Sequence, residues 1–512
     1  VALTLSVAEI IERNANGMLG KHPSWERVRL GDIADVQNGA AFESHYFNHE
    51  GRGMPLLRIR DVFSGKTEAF YDGPYEDTFI VHPGDLVIGM DGDFNHWPWT
   101  GPPALLNQRV CRLIFRSPHV LPKFVFYVLG GYLEAVNWAT PSITVKHLSS
   151  KTVADLLLPL PPLAEQDRIV GKIERQLSRV EAGRAAFGRA ATDVEELRAS
   201  VLTSAVSGTL HGGDGDATAL LANVLVERRQ LWEAIELARM EERGKVPRDD
   251  HWKLKYAEPL SPRPLEGVEL PEGWAWATVD QLATGVDYGT SAKTGSASNG
   301  VPVLRMGNII DARLNFTDLK YLPEGHVEFP NLFLEHGDVL FTRTNGSVEL
   351  VGKAAMFDEE LVPCSFASYL IRVRFSHRVR PELLVHFLAS PYGRRWAYEV
   401  SSQVGQANIS GSKLKALTIP LPPRHVQDEI CDRVEQLLDV SERLRHASRR
   451  GQVDAEALRR SILRRAVAGQ LAQQHPDDEP ATLLLDAILA DLDERRRSTM
   501  AAKKPGRKTK VA

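Results

Sequence analysis

The chain has 512 residues, of which 43% are hydrophobic and 25% charged, with a formal net charge of −4. That length exceeds what one hydrophobic core serves and predicts about three or four domains of ordinary soluble composition. The slight acidity excludes a uniformly basic DNA-coating protein, while local basic clefts stay open.

In chain order, a lead segment (1–24) opens with "VALTLSVAEIIERNANG". It carries neither a basic start nor a small-residue cleavage site, so no secretory signal is expected. Residues 25–157 are rich in Gly, Pro, aromatics and short apolar runs such as "DLVIGM" and "CRLIF". These are strand and loop signals, with one helical stretch at "KFVFYVLGGYLEAVNWA". From 158 to 245 the texture is helical, with Ile169, Ile173, Leu177, Val180, Phe187, Val194, Leu197, Val201 and Ala205 recurring at threes, fours and sevens. A proline-rich connector (246–273) leads to a second strand-and-loop region (274–418). A second helical region (419–497) carries Ile430, Val434, Leu437, Leu444, Leu458, Ile462 and Ala466. The end, 498–512, contains "KKPGRKTK" and reads as a basic disordered tail. No apolar run approaches the ~20 residues of a membrane span. Cys111, Cys364 and Cys431 form no pair motif, which predicts a reducing compartment and hence the cytoplasm.

The chain is written twice. "LPLPPLAEQDRI" (158–169) returns 261 residues later as "IPLPPRHVQDEI" (419–430), with seven of twelve positions identical. At the same offset "SVLTSAVSGTL" (200–210) meets "SILRRAVAGQL" (461–471), and "ATALLANVLVERR" (217–229) resembles "ATLLLDAILADLDERR" (481–496). Upstream, Trp25 and "VRLGDIA" answer Trp274 and "ATVDQLA", "MPLLRIRDV" answers "VPVLRMGNI", and "HPGDLVIGMDG" answers "EHGDVLFTRTNG". Chance similarity does not keep order over six blocks, so this is an internal duplication with copies far longer than a solenoid repeat.

The proline joint has a physical logic. Proline fixes φ and lacks an N–H, so consecutive prolines end a strand and suit the first helical turn. Glu165 and Asp167, like Asp428 and Glu429, place negative charge where the helix dipole favours it. Gly208 and Gly469 supply helix stops. Pro161 to Gly208 spans 47 residues, about 70 Å as continuous α-helix. An apolar stripe of that length needs a partner, and the equivalent helix of the other copy provides one. The expected fold is α+β: two globular α/β modules alternate with two long helices that pair as an antiparallel coiled-coil spacer, a pseudo-twofold internal repeat. Gly171, Gly183, Gly188 and Gly451 argue against perfect rods.

Chemistry-bearing motifs are missing. There is no G-x-x-x-x-G-K-[ST], no G-x-G-x-x-G after a strand, and no Asn/Asp-Pro-Pro-aromatic motif of the amino-methyltransferase kind. His45 and His49 have a zinc-helix spacing, but "HYFNH" lacks the glutamate base and reads as two loop histidines. "DGDFNHWPWTGP" fails as a calcium loop because His96 and Pro102 stand at its glycine and glutamate positions. A duplicated, spacer-linked chain without catalytic residues looks like something that binds two things at a set distance.

From Trp25 to Arg497 the sequence resembles the specificity subunit of type I restriction-modification systems. The resemblance is carried by the two Pro-Pro-x3-Gln-Asp joints, by "SWERVRLGDIA" and "GWAWATVDQLA", by "HGDVLFTRTNG" and by "NISGSKLKALTIPLPP" (408–423). It implies two target-recognition domains (25–157 and 274–418), each reading half of a bipartite double-stranded DNA sequence. Helical conserved regions would fix the gap, with half-sites about one helical turn apart. It further implies two methyltransferase subunits that flip and methylate an adenine, and restriction/translocase subunits for cleavage. No cofactor is expected on this chain; S-adenosylmethionine, ATP and Mg would sit on those partners. The first copy departs at "GMDGDFN" and reads "KHLSS" where the second has Asn-Ile-Ser.

Position in the family pattern and side-chain chemistry together nominate DNA contacts. In the second domain they are Arg343, Thr344, Asn345, Ser347, Lys353, Gln403, Asn408, Ser410 and Lys413. In the first they are Arg58, Arg60, Asn95, His96, Thr144, Lys146, His147 and Lys151. Arg and Asn match guanine and adenine edges, whereas Lys and Ser more often hold phosphate. Asn345-Gly346 predicts a tight turn at a hairpin tip. Each nominee has a competing reading as a loop or turn residue, and Arg58 and Arg305, each after an apolar pair, have an equally good structural one. Two rival readings are a two-headed protein-interaction scaffold without sequence-specific DNA binding, which the acidic charge favours, and a fused enzyme.

Overall fold

A computed structural model describes residues 5–141, 146–211, 215–245, 247–296, 298–358, 363–401 and 407–502. It divides into two units, one formed by Val1–Phe187 with Arg450–Ala512 and the other by Gly188–Arg449. Both boundaries fall inside long helices, Leu163–Ser207 and Arg424–Val467.

The first unit is built on a four-stranded antiparallel sheet in the order Ala34–Asn38, Val110–Phe115, Leu86–Gly89, His96–Pro98. A second sheet of five short strands contains one parallel pair, Leu56 beside Leu105, flanked by antiparallel neighbours. Strand Glu26–Arg29 pairs with Leu157–Leu160, so the two ends of this region close on each other. The helix Pro122–Ala139 starts at a proline, as its fixed φ favours, and turns Phe124, Val125, Val128, Leu129, Leu133 and Val136 inward. They join Leu86, Ile88, Cys111 and Leu113 of the sheet in one core. Ile169, Ile173 and Val180 of the first long helix, Ala455, Ile462 and Ala466 of the second, and Leu484 and Ile488 of the last helix complete it. At ~25 cal/mol per Å2 such apolar burial is the main stabilising term.

The second unit repeats the four-stranded order and keeps three strands of the other sheet. Ala283–Tyr288, Leu370–Phe375, Val339–Thr342 and Ala354–Met356 form a four-stranded sheet. Val301–Leu304 and Ser365–Phe366 supply the parallel pair, and Ala275–Thr278 closes against Thr418–Leu421. Its sheet is cross-linked by ion pairs that each bury one partner, Arg372 to Asp287 at 2.8 Å and Arg374 to Asp338 at 2.7 Å. Val201, Leu202 and Ala205 of the first long helix form one cluster with Val426, Ile430 and Val434 of the second.

The repeated proline joint serves two buried glutamines. Gln166 donates to the Pro161 carbonyl at 3.0 Å and accepts from the Leu121 N–H at 2.8 Å. Gln427 donates to the Pro422 carbonyl at 2.9 Å and accepts from the Arg380 N–H at 2.9 Å. In each unit the amide ties the helix start to the chain entering the nearest domain helix. Proline carbonyls left bare there would be orphaned acceptors.

Two expectations change, and the connector gains detail. Both long helices run unbroken through Gly171, Gly183, Gly188 and Gly451. At Gly451 a β-carbon would lie 2.5 Å from the Phe187 ring, so glycine there admits a side chain from the facing helix segment. The proline-rich connector is ordered over Asp250–Lys255, and Trp252 stacks on Trp232 at 5.9 Å while Arg228 donates to the Tyr256 hydroxyl at 2.6 Å. The last helix reaches Ala502, into the stretch read as tail, and the basic residues beyond it lie outside the described residues. Gly208 and Gly469 end their helices at φ +73 and +70.

Candidate nucleic-acid interface

In the second unit the strand Val339–Thr342 ends at Arg343, whose backbone is held from two sides. Its N–H donates to the Tyr369 carbonyl at 3.0 Å, and its carbonyl accepts from Ile409 at 2.8 Å. Thr344 then bridges to Asn408 and donates its hydroxyl to the Ala407 carbonyl at 3.0 Å. The Arg343 guanidinium lies 4.8 Å from the centre of the Tyr288 ring, and its Nε donates to Asn408 Oδ1 at 3.4 Å. Tyr288 in turn accepts from the Gly411 N–H at 2.7 Å. Arg343, Thr344, Ser368, Tyr369 and Asn408 line an open pocket of ≈ 320 Å3. Side chains of this kind, exposed at a strand end, can meet either a base edge or a phosphate.

The first unit has the same backbone frame and different side chains. Met90 donates to the Arg109 carbonyl at 2.9 Å and accepts from Leu148 at 2.7 Å, so Met90 holds the place of Arg343. Asp91 bridges to His147, as Thr344 does to Asn408. The Asp91 carboxylate takes His147 Nδ1 at 2.6 Å and Arg109 at 3.3 Å. Asn38 reaches Ser150 at 3.1 Å, at the same junction as Tyr288 with Gly411.

The other nominated residues divide by what they touch. Lys146 caps the helix Pro122–Ala139 through the Asn137 carbonyl at 2.7 Å, and Lys413 does the same at the Val400 carbonyl at 2.9 Å. Ser410 caps its own short helix by accepting from Lys413 N–H at 3.3 Å. Arg58 folds back on buried Asp61, its Nε 3.1 Å away, and Arg305 donates to Asp318 at 3.0 Å. These are structural tasks, the second reading the sequence allowed. Arg60 and Lys151 are exposed. Asn95 accepts from Gly89 N–H through its backbone at 2.7 Å. His96 is turned toward the helix Pro122–Ala139, 3.0 Å from the Phe126 carbonyl, and burial pushes its pKa down to about 4. A neutral, inward imidazole is poorly disposed to hold phosphate.

Asn345 and Gly346 make no two-residue turn. Neither has the positive φ such a turn needs, and the ladder stops at Phe341 opposite Ala354, which leaves a longer loop. Within it Asn345 Oδ1 accepts from Ser347 N–H at 3.2 Å, Ser347 precedes a 3-10 turn, and Lys353 O accepts from Thr342 N–H at 2.8 Å. Thr144 and Gln403 lie outside the described residues.

Residue-by-residue reading missed Tyr288, Tyr369, Asn38, Asp91 and Arg109. Extending the repeat register through "NQRVCRLIF" (107–115) and "ASYLIRVRF" (367–375) would have set Arg109 against Tyr369. Among the described residues no group of three His, Cys, Asp or Glu is placed to hold a metal, and no helix is long and apolar enough to cross a membrane.

Residues 23–184 and 271–449 match the type I restriction modification DNA specificity domain. The chain is 30% identical over 508 residues to the type I restriction enzyme EcoBI specificity subunit of Escherichia coli, covering 98% of both. It is 26% identical to the EcoKI specificity subunit of Escherichia coli K12, covering 89% of this chain and 91% of that one. A solved structure from work on complex assembly and conformational transition of the type I R-M system superposes with a TM-score of 0.56. It is 20% identical and covers 88% of this chain and 98% of its own.

Proposed function

The chain belongs to the family of type I restriction-modification specificity subunits, and from that premise we propose how its two units divide the work. Each unit reads one half of a bipartite duplex target through the strand-end frame at Met90–Asp91 or Arg343–Thr344. The two long helices pair antiparallel as a spacer and relate the units by a pseudo-twofold, so that their length sets the gap between the halves. The same helical regions dock two methyltransferase subunits, which bring S-adenosylmethionine and the adenine chemistry. Restriction/translocase subunits bring ATP, Mg and cleavage. This chain's own task is recognition, in the cytoplasm.

The observation that carries this reading is the pair of matched frames. Identical backbone hydrogen bonds position Asp91, Arg109 and His147 in one unit and Arg343, Tyr369 and Asn408 in the other. Two different half-sites call for that combination: a constant scaffold that presents different donors and acceptors. Arg60 and Lys151 supply phosphate contacts beside the first frame, with Asn345, Ser347 and Lys353 on the loop beside the second.

The test is methylome sequencing of cells carrying the complete system, with whole turns deleted in register from both long helices. The gap in the methylated motif should shorten while both halves stay the same. An unaltered gap rules out the spacer role, and methylation without any sequence motif rules out recognition by this chain.

A further inference from the structure

Arg343 differs from the other basic side chains at the two frames in how fully it is oriented before any ligand arrives. Its backbone is pinned at N–H and carbonyl, at 3.0 and 2.8 Å, by Tyr369 and Ile409. Its guanidinium rests over the Tyr288 ring, 4.8 Å from the centroid, and its Nε is engaged by Asn408 at 3.4 Å. Among the described residues the two terminal nitrogens have no hydrogen-bond or ion-pair partner, and they open on the pocket of ≈ 320 Å3. Among the described residues no carboxylate lines that pocket, whereas Arg109 of the first unit is paired to Asp91 at 3.3 Å. An aromatic platform restricts a guanidinium to a plane, and an engaged Nε leaves its forked outer edge as the free donor pair. That fork matches the O6 and N7 acceptors of guanine in the major groove. A phosphate contact needs no such orientation, since any cationic tip at reach serves.

We infer that Arg343 reads a guanine in the half-site of the second unit and that Tyr288 is its positioning residue. The inference rests on the recognition role proposed above. Tyr288 acts through its ring face, which holds the guanidinium, and its hydroxyl serves the separate task of accepting from Gly411 at 2.7 Å. Ordering the arginine in advance removes an entropy cost that binding would otherwise carry.

The experiment uses the full chain assembled with its methyltransferase subunits and a library of duplexes, reading the methylated sequences. Wild type should select a bipartite motif with an invariant G·C pair in one half. Arg343→Ala should relax that one position, with discrimination falling roughly ten- to hundred-fold, while the other half and the melting temperature stay unchanged. Tyr288→Ala should relax the same position in part, and Tyr288→Phe should restore it because the ring face survives. A motif unchanged in Arg343→Ala overturns the inference. So does a uniform loss over all sequences with a shallower salt dependence, the signature of a phosphate contact. Equal failure of Tyr288→Ala and Tyr288→Phe, with a lowered melting temperature, removes the positioning role. Wild type without any motif sinks the recognition reading itself, a result distinct from all of these.

Discussion

The same strand end carries Met90 and Asp91 in the first unit and Arg343 and Thr344 in the second. In the first, the Asp91 carboxylate is already shared between His147 and Arg109. In the second, a guanidinium is braced on Tyr288 and its outer edge has no partner among the described residues. Backbone pairing is indifferent to side-chain identity, so the frame survives exchange of every residue that faces outward. A second contrast lies in the interior. Trp25 donates to Glu165 at 2.9 Å, and burial pushes that carboxyl's pKa up. Trp274, its counterpart, faces a position where Val426 replaces the glutamate, and its indole N–H has no partner among the described residues. The units are thus alike in backbone frame and unlike in the side chains that frame carries, inside and out.

The comparison is sharpest at the proline joints. Gln166→Ala and Gln427→Ala should each destabilise their own unit by about 3 kcal/mol, because a buried carbonyl and a buried N–H lose their partners together. Thermal unfolding of the two variants should give similar losses, and a large loss in one alone would break the equivalence. Gly451→Ala comes next. Its methyl meets the Phe187 ring, and overpacking of this kind costs about 1–3 kcal/mol. Gly183→Ala, with nothing within 4 Å, should instead stabilise by about 1 kcal/mol through helix propensity. Denaturant titration decides, and equal signs would refute the close helix contact.

The smallest effect is acid sensitivity. Burial lowers the pKa of His96 in the first unit and of His386 in the second to about 4, from an ordinary 6.5. A depressed folded-state value means that the unfolded chain binds protons first. Stability is complete above pH 6.5 and is lost as pH falls toward 4. His96→Gln and His386→Gln should each flatten part of that slope in a urea-midpoint series, and an unchanged slope would reassign it to carboxylates.

Sequence alone showed the duplication, the helical regions and the joints, because these depend on local periodicity and on proline. It also nominated Arg343, Asn408 and His147, which the fold brings to the two strand-end frames. It could not show that Lys146, Lys413, Ser410 and Arg58 cap helices or close turns, since those contacts depend on which carbonyl or carboxylate the fold brings near. Tyr288 was invisible for the same reason: its value lies in contacts with Arg343 and Gly411, far along the chain. The glycines misled because their helix-weakening tendency is small beside the packing of the helices' apolar residues into each unit's core.

The unit boundaries also govern the order of synthesis. Gly188–Arg449 is one continuous stretch, whereas the first unit takes Ala455, Ile462, Ala466, Leu484 and Ile488 of its core from Arg450–Ala512. On the ribosome, at roughly 5–20 residues per second, the domain translated first therefore waits for tens of seconds without the residues beyond Arg449 that complete its core. The domain translated second is ready to close before it. Amino-terminal fragments released by premature termination inherit that sticky, unfinished face, and the cell's chaperones and proteases meet it first.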